Sequence, residues 1–246
     1  MNRKATFTLL IMALLYFATP FSAHAVEKLV FSGIESINSD ISFKVLKEAY
    51  GRIGIKIELK HYPILRALHS SDSGIVDGEL FKKKGLENKY PNLTMIHVPV
   101  NNIESMVLTN KSSPPFTDWQ SLAPFRIGIY RGVAFTKEKT AKAGCTQVFE
   151  LDTHDQMLKM LEANRIDVAI VAKIAGLSLL RKAGPTEIKL IEPPLESFPV
   201  YHYLNKKHSR LVPKLTAVLK QMQKEGRIQQ IREEIIQKEF GTLGGE

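Results

Sequence analysis

The side chains with chemical potential are dispersed cations, tyrosines and carboxylates. Tyr62 and Arg66 flank Pro63 at a helix start, bringing a ring and a guanidinium together. Arg131-Gly132-Val133-Ala134 lies between an apolar strand and a helix, where free backbone N–H groups suit an anion. Tyr130, just before it, offers a face on which a planar ligand could stack. Glu35 follows the first strand, at the carboxyl end where open α/β sheets bind ligands. Plainer roles stay open: Glu35 as a helix cap, Arg66 as the partner of Asp72 or Asp77, Tyr62 as core. If Glu35, Asp77 and Glu79 met in one cleft, a carboxyl there could act as general acid, which keeps an enzyme as the alternative. Motifs for catalysis are otherwise thin: there is no HExxH, GxSxG or phosphate-loop pattern. The histidines are scattered and no metal or cofactor is expected.

These residues must be positioned by an α/β scaffold. Lys28 to Ser32 reads as a strand and Ile41 to Ile53 as a helix, ended by Gly54. Ile55, Ile57 and Leu59 alternate as a second strand, a helix opens at Pro63, and Ile75-Val76 reads as a buried strand. This β-α-β-α-β order implies a parallel sheet with helices on its faces. A polar, proline-rich break at Ser112 to Pro115 precedes a repeat of the same grammar. Phe125 to Tyr130, Val148 to Leu151 and Ile166 to Val171 are its strands, with helices from about Phe135 and Gln156. Asp152 to Asp155 can cap the second of these helices. Ile188 to Ile191 and Val200 to Leu204 read as two late strands separated by prolines. An amphipathic helical region follows, divided at Gly226, and Gly241 to Glu246 has the composition of a frayed tail. Two α/β lobes are the natural reading.

The first residues speak to compartment. Arg3 and Lys4, the apolar run Phe7 to Ala18, and Ala23-His24-Ala25 have the layout of a secretory signal peptide cleaved before Val26. The run is shorter than the ~20 residues of a spanning helix. The expected mature protein is soluble, periplasmic and monomeric. Its lone Cys145 excludes an internal disulfide, and no cysteine follows the signal to carry a lipid. The formal charge of +9 is spread among acids with no basic, aromatic-interleaved stripe, so nucleic acid is not expected as a partner.

Ser73-Gly74-Ile75-Val76-Asp77-Gly78-Glu79-Leu80, with Lys89-Tyr90-Pro91-Asn92-Leu93, resembles the extracellular solute-binding protein family 3, the amino-acid-type periplasmic binding proteins of ABC transporters. Trp119 to Leu122, Arg126 to Gly132 and Asn164 to Ile170 are similar to later segments of that family. The resemblance implies an α/β, two-lobed periplasmic-binding-protein (Venus-flytrap) fold, each lobe a mixed, mostly parallel sheet flanked by helices. Lobe 1 would comprise residues 26–109 and 198–246, and lobe 2 residues 110–197, with hinges near Leu108-Thr109-Asn110 and Glu196-Ser197-Phe198. A small solute would bind between the lobes, and an ABC permease or a membrane sensor would read the closed form.

The resemblance also implies site chemistry. Lys82 takes the place of an arginine that commonly clamps a ligand carboxylate, and a lysine lacks the two-pronged fork. Ala172, followed by Lys173, stands where the family usually carries an aspartate for the α-amino group. Together with the "P-x-x-R" of Pro63 to Arg66, this points to an anionic or polar metabolite other than a standard amino acid. The expected ligand set is Glu35, Tyr62, Arg66, Asp77, Glu79, Lys82, Tyr130, Arg131, Gly132 and Val133.

Overall fold

The computed structural model describes residues 28–111 and 116–241. The expected signal peptide, the break at Ser112 to Pro115 and nearly all of the frayed tail lie outside the described residues.

Helix α1 (Ile37–Gly51) forms because Ser36 accepts a hydrogen bond from the Ser39 amide, satisfying one of the donors a helix start leaves free. Val45, Leu46, Ala49 and Tyr50 then recur at helical spacing and are all buried. They pack on β1 (Lys28–Gly33) and β2 (Lys56–His61), where Leu29, Phe31 and Ile57 join the same core. Helix α2 (Ile64–Asp72) follows β2 and leads to β3 (Gly78–Lys82). Helices α6 (Val212–Lys224) and α7 (Arg227–Phe240) add Leu215, Leu219, Met222 and Ile231 to that core. Gly226, at φ +71°, makes the left-handed turn between them that a side chain would resist.

The second half repeats the pattern with β5 (Ile127–Tyr130), α3 (Ala134–Lys142), β6 (Val148–Leu151), α4 (His154–Glu162), β7 (Val168–Ala172) and α5 (Lys173–Ala183). Thr153 caps α4 through the Gln156 amide. Two apolar clusters cover its sheet, one around Met157, Leu161 and Ile166, the other around Trp119, Leu122 and Ile129.

Two 17-residue strands, β4 (Leu93–Thr109) and β8 (Lys189–Asn205), run through both halves. The strand order is β2-β1-β3-β8-β4-β7-β5-β6. Pairing is parallel among β2-β1-β3 and among β7-β5-β6, and antiparallel for β3-β8, β8-β4 and β4-β7. β8 meets β3 only from Tyr201 to Leu204, and β4 meets β7 only from Ser105 to Leu108. Between these points Asn101 to Glu104 pairs with Ser197 to Val200, so a two-stranded ribbon joins the halves.

Three expectations need correction, and one helix was not expected. The strand placed at Ile75-Val76 begins at Gly78, and Ile75 is exposed. The two late strands are one: Glu192 to Leu195, with both prolines, bulge out between the register partners Ile191 and Glu196. Helix α5 was not anticipated. Leu108 pairs with Ala169 inside the second wing, so the first crossing lies before Ser105 rather than near Asn110.

Candidate functional site

The first wing brings three of the expected residues to the carboxyl ends of β1 and β2. Glu35 is exposed in the β1–α1 loop, and Ser36 rather than Glu35 provides the cap of α1. The Tyr62 amide donates to the Gly33 carbonyl at 2.9 Å, fixing the β2–α2 loop beside the end of β1. Arg66 is exposed, and its guanidinium lies 5.2 Å from the centre of the half-buried Tyr62 ring. Asp72 is engaged by the Asn92 amide and Asp77 by other cations, so neither is the ion-pair partner of Arg66.

Asp77 belongs elsewhere. Its carboxylate accepts from the Val30 amide at 2.7 Å and meets Lys207 at 2.8 Å and His208 at 2.7 Å. Burial raises its pKa, but these partners outweigh that and leave it below the usual carboxylate range. Asp77 precedes β3 and ties down the strand's amino end, away from the carboxyl edge that carries Lys82. Glu79 is 1 % exposed and accepts from Ser32 Oγ at 2.7 Å and from Lys82 Nζ at 2.5 Å. Lys82 is thereby matched by an internal acid. Asp77 and Glu79 have separate partners, so the convergence of Glu35, Asp77 and Glu79 weighed from the sequence is not assembled.

In the second wing, Tyr130 ends β5 and its ring packs on His154, with centroids 4.9 Å apart. Burial pushes the His154 pKa down. Arg131 donates to Asp152 at 2.6 Å and to the Glu150 carbonyl at 2.8 Å, which holds it on β6. The Val133 amide bonds the Tyr130 carbonyl at 3.2 Å and the Ala134 amide bonds the Gly132 carbonyl at 3.1 Å. Two of the N–H groups expected to hold an anion are therefore spent within the turn. Gly132 has φ +85°, and a Cβ there would sit 3.4 Å from Ile64 Cβ. Gly132 thus lies beside Ile64 and Leu65 at the start of α2, so the β5–α3 loop of one wing approaches the α2 start of the other at a seam next to Pro63 and the Tyr62–Arg66 pair. Ala172 ends β7, and Lys173 pairs with Glu192 at 2.7 Å.

A second cluster, not anticipated from the sequence, lies at the ribbon. Lys83 Nζ is 3.8 Å from the centre of the Phe135 ring, 4.4 Å from that of Phe198, and 3.2 Å from a Glu196 oxygen. Glu196 also meets Lys139 and accepts from Trp119 Nε1 at 3.2 Å. Burial opposes ionisation of Glu196, yet its bonds to Lys139 and Lys83 leave its pKa lowered. On the neighbouring strand Glu104 meets Arg232 at 3.0 Å and lies 3.9 Å from Lys173.

No known family profile matches the sequence. An uncharacterized protein of Shewanella oneidensis is 26 % identical over 195 residues, covering 77 % of this chain and 74 % of that one. Among solved structures, a histidine kinase sensor domain with similarity to periplasmic binding proteins superposes with a TM-score of 0.71 at 15 % identity, over 85 % of this chain and 96 % of its own. An ancestral arginine-binding protein bound to arginine gives 0.69 at 16 % identity, over 84 % and 97 %. The GluR0 ligand-binding core with L-glutamate gives 0.71 at 13 % identity, over 87 % and 98 %. The chain has the two-lobed periplasmic-binding-protein fold.

Proposed function

We propose that this is an exported, monomeric solute-binding protein whose lobes close on a small molecule, and that a permease or a membrane sensor reads the closed form. The observation that carries this reading is the seam itself. Gly132 of the β5–α3 loop lies there beside Ile64 and Leu65 at the start of α2 in the opposite wing, and a two-stranded ribbon joins the two wings. A ligand that touches both wings favours the closed form by its extra contacts.

Arg66 is the cation assigned to the ligand. Lys82 and Arg131 are matched by Glu79 and Asp152, whereas Arg66 meets only a tyrosine face among the contacts described. A carboxylate or similar anion would gain a charge-assisted bond there. Ala172 and Lys173 offer no acid for an α-ammonium, so a metabolite with an anionic group and no α-amino group fits better than a standard amino acid. Arginine and glutamate in two of the neighbouring structures make amino acids the comparison that matters.

The test is a thermal-shift panel on residues 26–246, containing dicarboxylates, hydroxy acids, inorganic phosphate and L-amino acids. Binding to the native state raises the melting temperature by mass action. Stabilisation by an anion lacking an α-amino group supports the assignment. Stabilisation by L-arginine or L-glutamate alone contradicts it.

A further inference from the structure

We infer that Lys83 acts as a tethered internal ligand, holding the two wings together in the absence of solute. Lys83 follows β3 of the first wing, yet its ammonium lies over Phe135 of the second wing and Phe198 of the ribbon. The two rings are 4.5 Å apart at 57°, and Phe135 stands edge-on to Trp119 at 5.7 Å. Glu196 closes this box with one oxygen on Lys83 and the other on Lys139 and Trp119. A cation facing two rings and a carboxylate is attracted by both, and more strongly when partly desolvated; Lys83 is 34 % exposed. Its partners belong to the ribbon and the second wing, so opening the wings withdraws it from the box.

The latch rests on the two-lobe closure proposed above, but it is read without ligand. A panel without hits would defeat solute binding and leave this comparison intact.

The experiment is X-ray scattering on the ligand-free mature protein, comparing the wild type with Lys83→Met, Glu196→Gln and Lys84→Ala. Methionine keeps most of the aliphatic stem, and circular dichroism checks folding. Lys84 is exposed and controls for the loss of one charge. The expected result is a larger radius of gyration for Lys83→Met and Glu196→Gln, with the open-to-closed ratio raised about tenfold, equivalent to about 1.4 kcal/mol. Lys84→Ala should match the wild type. A radius for Lys83→Met equal to the wild-type value, or an equal expansion in Lys84→Ala, overturns the latch.

Discussion

At the residue scale, the account turns on which charges are already matched. The sequence offered Arg66 and Arg131 as candidate cations and the family resemblance added Lys82, but neither shows where acids fold to meet them. Glu79 and Asp152 remove two of the three. Replacing Arg66 with alanine should weaken the best ligand of the thermal-shift panel by ~1.5–3 kcal/mol, the range for a bond to a charged group. Arg66 is exposed, so the melting temperature of the free protein should stay the same; calorimetry and a ligand-free melt separate the two effects. His202 was not singled out in the sequence, because only the fold buries it. It donates to the Glu79 carbonyl at 2.9 Å and pairs with the Tyr50 hydroxyl at 3.0 Å, and burial lowers its pKa from 6.5 to about 4. The unfolded chain binds a proton that the fold refuses, so stability should fall as pH drops from 6.5 towards 4, by up to ~3 kcal/mol. Burial of His154 adds a contribution of the same sign. Urea titrations across that window should show a shallower pH slope for His202→Gln; an unchanged slope would remove His202 from the account.

At the element scale, the short α/β units were legible because alternation, helical stripes and caps are local. The apolar stripe of α1, the Thr153 cap of α4 and the turn at Gly226 all stand where the pattern put them. The long strands were not legible. Prolines usually end a strand, but in β8 they occupy a bulge where Glu192 to Leu195 face only Met106, so pairing resumes on either side. The Lys83 box was hidden for a related reason: Phe135 and Phe198 are far apart in sequence and become neighbours only through tertiary packing. Gly132 gives the test at this scale. Alanine there must hold φ near +85° and place its Cβ 3.4 Å from Ile64 Cβ. The conformational part should cost about 1–2 kcal/mol in a denaturant titration, and the contact should weaken ligand binding as well. A variant as stable and as tight as the wild type would mean that the loop backbone relaxes freely.

At the scale of the whole molecule, two wings are joined by the narrow ribbon of Asn101 to Glu104 and Ser197 to Val200, which is where the proposed closure would hinge. That architecture was anticipated from the repeated α/β order, although the position of the first crossing was not. Each strand carries one glutamate at the second-wing end of the ribbon with cations from both wings: Glu196 meets Lys83 and Lys139, and Glu104 meets Arg232 and approaches Lys173. Partly exposed ion pairs are screened by salt, and Lys83 adds the faces of Phe135 and Phe198 to its pair with Glu196. The central claim is that solute binds at the seam between the wings. Hydrogen exchange, with and without a saturating hit from the thermal-shift panel, tests it most directly. The account predicts simultaneous protection of Tyr62 to Arg66, at the β2–α2 junction, and of Tyr130 to Val133, at the β5–α3 junction, which lie in different wings. Protection confined to one wing, or to a surface away from both loops, would contradict it.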